Sequence, residues 1–292
     1  MARPYPLSST LEAKPQPDSL FLSKLPAEIR LQVYEHVFGY RHLHIFIYEQ
    51  RLVCLLCQNP TATDPGDHEG CIGMSMSKSK RPWNDDAFKQ VPSSPASEKK
   101  RQHLAALLTV CHTMYLETVD DLYRSHVFHF SNIISMAVFP REIIPHYRDM
   151  LHHVRIDLFL LTRGSADELY IFIHNSFSQK WPSWEDEAGG NAGDETPWEC
   201  AWGAIAGLTS LHTLRVTIEV TRPRGDYDDT DDWLHQGMSA TFEKSLFEPL
   251  TKITCNNFLL RVNWPAPPMT DKSQQEPGYP FRIERFTSRA LE

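Results

Sequence analysis

The sequence has no apolar run close to the roughly 20 residues that a helix needs to cross a bilayer. Its opening stretch, "MARPYPLSSTLEAKPQPDS", also lacks the apolar core of a secretory signal peptide. Both absences argue against a membrane or secreted protein, and we expect a soluble protein of the cytoplasm or nucleus. Its six cysteines are then mostly reduced thiols, because these compartments do not favour structural disulfides.

Positive charge is also scarce, with 29 Lys and Arg against 37 Asp and Glu, a formal net charge of -8 and a pI near 6.0. A nucleic-acid-binding surface normally appears as clustered Lys and Arg, so this balance argues against a nucleic-acid partner. The nearest basic cluster lies at 78–101, in Pro- and Ser-rich sequence. We interpret it as a solvated linker, with nuclear import or nucleic-acid contact as the alternative.

The short motifs that carry common catalytic chemistry are missing as well. The sequence has no Gly-x-Ser-x-Gly elbow, no His-Glu-x-x-His pair, no Walker loop and no dinucleotide-binding glycine fingerprint. His152 and His153 near Asp157 invite an acid–base interpretation, but they precede an apolar strand, where such residues more often face solvent. The Asp-rich stretch 226–232 lacks the Gly and the terminal Glu of an EF-hand loop. We therefore expect neither enzymatic activity nor a cofactor.

What the sequence does contain is enough apolar side chain for a large core, since 41% of its 292 residues are apolar and 11% are aromatic. The order of its segments divides the chain into four parts. They are a disordered Pro-rich arm at 1–20, a helix–hairpin–helix region at 21–130 with a flexible insertion at 58–98, a repeat-like α/β region at 131–264, and a Pro-rich C-terminal tail at 265–292.

Three segments of the chain share one pattern: "MLHHVRIDLFL" at 150–160, "SLHTLRVTIEV" at 210–220 and "NNFLLRVNW" at 256–264. Each contains a short apolar strand with an Arg at or near its start, and each follows sequence that can form a helix. This pattern indicates a short leucine-rich-repeat-like stack, in which parallel strands share a sheet covered by helices. We therefore predict an α/β (α+β) fold.

The stretch "LPAEIRLQVYEHVF", residues 25–38, predicts a helix with more apolar surface than one-sided packing needs. At 100° per residue, its apolar side chains cover about twice the usual arc of roughly 100°. One apolar stripe can pack on the core, and the other is covered either by the same domain or by a partner protein. The two stripes lie on either side of Arg30 and comprise Ile29, Val33 and Val37 in one, and Leu31, Tyr34 and Phe38 in the other.

The same stretch carries a family resemblance. Leu25-Pro26-x-Glu28-Ile29, followed by Val33, Tyr34 and Val37, looks like the opening of an F-box. "LLTVCHTMYLETVDDLYRSHVFHF" at 107–130 resembles the continuation in fungal F-box-like proteins, especially the domain of unknown function known as the 7730 family. The resemblance covers roughly residues 20 to 160, and more loosely the strand units to about 264, which makes 21–130 the F-box-like region.

This resemblance implies a role in binding rather than in catalysis. F-box helices dock on the adaptor subunit of cullin-RING ubiquitin ligases, while a C-terminal repeat domain selects the substrate. The chain would then be a non-enzymatic substrate receptor, and the alternative is a self-contained scaffold in which the F-box-like helix is buried core. The residues that the resemblance implies for partner binding are Leu25, Pro26, Ile29, Leu31, Tyr34 and Phe38.

A second candidate site is a structural zinc centre, formed by the pairs Cys54-x2-Cys57 and His68-x2-Cys71. Thiolate and imidazole ligands suit tetrahedral zinc. However, a separation of three residues places Cys54 and Cys57 on opposite faces if the strand continues through both, so the strand must end near Leu55 for the thiolates to converge. The alternative is two buried hairpin thiols and a mobile loop, without a metal.

Overall fold

The computed structural model describes residues 17–38, 42–48, 51–57, 112–161, 196–221, 239–267 and 278–286. Over these residues the chain forms a mixed α/β fold, as the sequence predicts. The helices are α1 (Leu20–Lys24), α2 (Ala27–Phe38), α3 (His112–Ser125), α4 (Ile133–Glu142), α5 (Pro145–Arg148), α6 (Pro197–Ala206) and α7 (Ala240–Phe247), followed by a 3-10 helix (Glu248–Lys252). The strands are β1 (His42–Tyr48), β2 (Arg51–Leu56), β3 (Val127–Phe130), β4 (His153–Leu161), β5 (Thr213–Thr221), β6 (Asn257–Val262) and β7 (Arg282–Arg285).

The strands form one seven-stranded sheet in the order β2-β1-β3-β4-β5-β6-β7. β1 and β2 are an antiparallel hairpin, which the alternating apolar residues after the first helix predict. All the other neighbours are parallel and follow one another in chain order. The parallel sheet agrees with the predicted fold class, while the likeness to leucine-rich repeats stays a prediction.

One face of this sheet is apolar and packs against helices. Successive side chains of a strand point to opposite faces, so Val154, Ile156 and Leu158 of β4 share one side with Leu214 and Val216 of β5. These residues are buried in a single core together with residues of α4, α6 and α7. The largest fully buried helical side chains in that core are Trp198, Trp202, Phe247 and Met136.

The helices on this face begin at sequence-encoded caps. The Asn132 side chain accepts a hydrogen bond from the Ser135 N–H at the start of α4. Thr196 and Glu199 form a reciprocal capping box at the start of α6. Because a cap satisfies backbone N–H groups that have no partner within the helix, it fixes where each helix begins above the sheet.

The sheet crosses the segment boundaries that the sequence suggests. β1, β2 and β3 come from the F-box-like region at 21–130, and β4 to β6 come from the repeat-like region at 131–264. The segment 265–292, interpreted from the sequence as a tail, supplies the edge strand β7, and its Phe281 packs 4.7 Å from the Phe258 ring. Within the described ranges, no helix combines the length and apolar character needed to cross a membrane.

Candidate functional site

The F-box-like helix α2 follows the short helix α1, and the two are joined by a turn. The Ser19 side chain caps α1 by accepting a hydrogen bond from the Leu22 N–H. Pro26 then opens α2, where its carbonyl accepts hydrogen bonds from the Ile29 and Arg30 N–H groups at 3.1 Å. Proline suits this position because the first N–H groups of a helix have no intrahelical acceptor.

The inner side of α2 packs on α3 through Arg30 and Tyr34. Both the Arg30 Nε and the Tyr34 hydroxyl donate to Glu117 Oε2 at 3.0 Å, and Arg30 also forms an ion pair with Glu117 Oε1. Arg30 further donates to the Leu25 carbonyl at 2.6 Å, which closes the turn between α1 and α2. The hydrogen bond from Arg30 lowers the pKa of Glu117, so this carboxylate stays ionised at neutral pH.

Tyr34 is only 2% exposed and forms a small apolar cluster with Met114, to which Phe21 and Leu22 add partly buried side chains. The Tyr34 ring lies 5.7 Å from the Phe21 ring. Arg30 and Tyr34 are four residues apart, so they lie on the same side of the helix. The line of α2 that contacts the rest of the chain therefore runs through Arg30 and Tyr34, along the edge of the second apolar stripe.

Apolar side chains on both flanks of this line remain in solvent. Ile29 is 42% exposed, Leu31 is 47% exposed and Val33 is 38% exposed. At 100° per residue, Ile29 and Val33 lie on one flank of the helix and Leu31 lies on the other. The second stripe is thus divided: Tyr34 is buried and Leu31 is exposed, and the Phe38 side chain lies outside what the structure describes. Of the other residues implied by the resemblance, Leu25 is half-buried and Pro26 is exposed.

The first half of the zinc prediction falls on β2. Cys54 is exposed and Cys57 is buried. β2 extends to Leu56, and the Cys57 N–H still donates to the His42 carbonyl at 2.8 Å, so the strand does not end near Leu55, where it would have to end for the two thiols to converge. His68 and Cys71 lie outside the described residues.

Histidine and arginine side chains line the sheet face opposite the helices. His129 Nε2 and Arg155 Nε lie 2.9 Å and 2.8 Å from the same Asp157 oxygen, and the three side chains are buried. Burial lowers the pKa of His129 to about 4, against the opposing effect of Asp157. Burial also opposes ionisation of Asp157, but the contacts with His129 and Arg155 outweigh it and hold the Asp157 pKa below its ordinary value. Asp157 is therefore a buried carboxylate paired with Arg155.

Arginine side chains continue this polar sheet face across the next two strands, β5 and β6. Arg215 of β5 pairs in register with Arg155 of β4, and Arg261 of β6 lies in register with Thr217, two residues further along the same face. The Arg261 Nε lies 3.6 Å from Glu284 Oε1 of β7. Across the described parts of the chain, no group of three or more His, Cys, Asp or Glu side chains is arranged to hold a metal ion.

The family model described as Domain of unknown function (DUF7730) matches residues 14–279. The chain belongs to this family. No curated protein and no solved structure matches the chain. The DUF7730 match spans α2, the hairpin and the sheet through β6, so both the α2 surface and the polar sheet face lie within the family region.

The sequence of this DUF7730 chain carries only a partial signal for the polar sheet face. Arg155, Arg215 and Arg261 stand out as the arginine repeated in the three strand segments, but their common face depends on strand register. The acid–base interpretation of His152 and His153 with Asp157 is not supported by the geometry. The His152 ring stacks on the His212 ring at 4.4 Å, while the Asp157 carboxylate contacts His129 of the neighbouring strand.

Proposed function

We propose that this DUF7730 chain is a non-enzymatic protein-interaction module in which α2 docks on a partner protein. The observation that carries the proposal is the exposure of Ile29, Leu31 and Val33 on a helix whose inner side is already fixed by Arg30 and Tyr34. Fully burying one such apolar side chain contributes roughly 1.5 to 3 kcal/mol relative to leaving it in water, and a partner would gain the part still exposed. Because α2 is already folded against α3, docking would not have to pay for ordering the helix.

The partner that we propose is the adaptor subunit of a cullin-RING ubiquitin ligase, in the cytoplasm or nucleus. The support is the F-box-like sequence from Leu25 to Ile29, together with the exposed flanks of the helix that it opens. The parallel strands β4, β5 and β6, which follow one another in chain order, support a leucine-rich-repeat-like half that would select the target. In this proposal the chain is a substrate receptor with two separate binding surfaces.

The test is a pull-down of purified cullin adaptor with the wild-type chain and with an Ile29→Asp/Leu31→Asp variant. Both side chains are exposed, so the variant should keep the wild-type circular dichroism spectrum and melting temperature while losing adaptor binding. The matched control is Ile144→Asp, because Ile144 is 42% exposed, the same as Ile29, but lies between α4 and α5. The control variant should bind as the wild type does.

The ligase proposal would be refuted if the folded wild-type chain did not bind the adaptor under conditions in which a known F-box protein does. The competing function is a self-contained scaffold in which α2 only completes the fold. One observation favours it: Tyr34, a residue of the F-box-like motif, is buried against α3 rather than presented to solvent. In that case the double variant and the wild-type chain would be indistinguishable in every binding assay.

A further inference from the structure

The arginine row on the sheet face, Arg155, Arg215 and Arg261, contains one guanidinium, that of Arg215, which forms no ion pair with any residue that the structure describes. Arg155 is paired with Asp157, and Arg261 lies beside Glu284. Arg215 stands on the strand between them, and its buried Nε–H has no hydrogen-bond acceptor among the described residues. No ion pair joins Arg215 to a carboxylate anywhere in the described ranges, although Asp157 lies on the neighbouring strand β4 and Glu284 lies on β7, two strands away.

This placement is unfavourable for the isolated chain. Neighbouring strands lie about 4.8 Å apart, so Arg155 and Arg261 bring two further positive charges close to Arg215. Burial and the charges of these two arginines lower the pKa of Arg215, the charges of Asp157 and Glu284 oppose this only in part, and the guanidinium remains ionised near neutral pH. A half-buried charge without an ion-pair partner costs free energy that an apolar residue of the same size would not cost. The arrangement therefore favours the binding of an anion.

The position of Arg215 leaves a route for such an anion. His44, His129 and Arg155 are fully buried at the β1–β4 side of the row, whereas Arg215 is half-buried. The Glu284 side chain on β7 is 42% exposed, and Arg282 on the same strand is exposed. The row thus opens to solvent towards the β6–β7 edge.

We propose that Arg215, flanked by Arg155 and Arg261, binds the carboxylate of an Asp or Glu side chain in an acidic segment of a partner protein. The planar guanidinium fork matches a carboxylate in a bidentate geometry. The half-buried Arg215 guanidinium balances one carboxylate, and Arg282, which shares its register on the same face, is exposed and two strands away. A nucleic acid would need a larger cluster of cations, which a chain with net charge -8 does not favour.

The experiment uses the 292-residue chain and an array of immobilised nine-residue peptides with a central Glu, Gln or phosphoserine between randomised positions. The expected result is stronger retention of the wild-type chain on Glu-centred than on Gln-centred peptides, by about tenfold, and a decrease at high salt. Arg215→Gln should lose this preference. Arg124→Gln is the matched control, because Arg124 is an exposed arginine on α3, and it should behave as the wild type does.

Thermal unfolding of the variants separates a binding role from a structural one. Because no described residue forms an ion pair with Arg215, Arg215→Gln should keep or raise the melting temperature, and a marked decrease would overturn the proposal. Arg215→Lys keeps the charge without the planar fork, so it should stay folded and retain part of the preference for Glu. This variant tests the proposal even where Arg215→Gln fails to fold.

Two further outcomes decide against the proposal. Equal retention on Glu-centred and Gln-centred peptides would show that Arg215 recognises no carboxylate. Preferred retention on phosphoserine-centred peptides would overturn the assignment to a carboxylate. The Ile29→Asp/Leu31→Asp variant should keep the preference for Glu, so failure of α2 docking and failure of this sheet site are distinguishable.

Discussion

Mild acid is expected to destabilise this fold through the buried histidine His129. His129 is 2% exposed and faces Asp157, Arg155 and the His44 ring, whose centre lies 4.7 Å away. Burial lowers its pKa from 6.5 to about 4. The unfolded chain therefore takes up a proton at His129 as the pH falls below about 6.5, and the folded chain does not do so until about pH 4.

The sign and size of the effect follow from this difference. Between these two pH values the unfolded state binds more protons than the folded state, so the free energy of unfolding decreases as the pH falls. Each unit of pKa difference corresponds to about 1.4 kcal/mol, which gives a loss of about 3 kcal/mol for His129 over the interval. Asp157, with a pKa below its ordinary value, adds a further loss only at lower pH.

The assay is urea denaturation of the wild-type chain and of His129→Gln at a series of pH values from about 7 to about 4. Glutamine keeps an amide nitrogen near the Asp157 carboxylate but does not titrate. The wild-type free energy of unfolding should fall by about 3 kcal/mol more than that of the variant over this range. Other histidines, such as His152 and His153, contribute equally to both proteins. Equal pH dependence of the two proteins would refute the reasoning.

Substitutions at two residues, Tyr34 and Glu243, test the packing at either end of the fold. Tyr34→Ala should lower the free energy of unfolding by about 3 kcal/mol, because the ring is buried and its hydroxyl donates to Glu117; an unchanged urea midpoint would contradict this packing. Glu243→Ala should cost about 3 kcal/mol, because Glu243 accepts hydrogen bonds from Trp264 Nε1 at 2.8 Å and from Arg285 at 2.9 and 3.0 Å. Glu243→Gln keeps an acceptor oxygen and should cost less, and a larger cost in thermal or urea unfolding would argue against this account.

The periodicity of the sequence was sufficient to predict the elements that are strongly apolar. The helix at 25–38, the hairpin after it and the three arginine-bearing strands are all present. The four-residue strand β7 carries too short a pattern to stand out from the Pro-rich sequence around it. β7 is positioned by its parallel pairing with β6 and by the contact of Phe281 with Phe258.

The side of α2 that packs on the chain could not be predicted from the helix alone. A helical wheel places Arg30 between two apolar stripes and gives no reason for a charged residue to face inward. Glu117, 87 residues later, accepts its hydrogen bonds and makes the inward position favourable. The polar sheet face was hidden in the same way, since the alignment of Arg155, Arg215 and Arg261 depends on pairing between strands distant in sequence.

The two proposed surfaces are connected by a short and rigid path. α2 is pinned to α3 through Glu117, and α3 ends at Ser125, one buried residue before β3 begins at Val127. β3 pairs directly with β4, which carries Arg155 and Asp157. If α2 docks on an adaptor, the orientation of the arginine row relative to that adaptor is therefore set by hydrogen-bonded elements rather than by a linker. A substrate receptor needs this property, because it must hold its target at a fixed distance from the ligase.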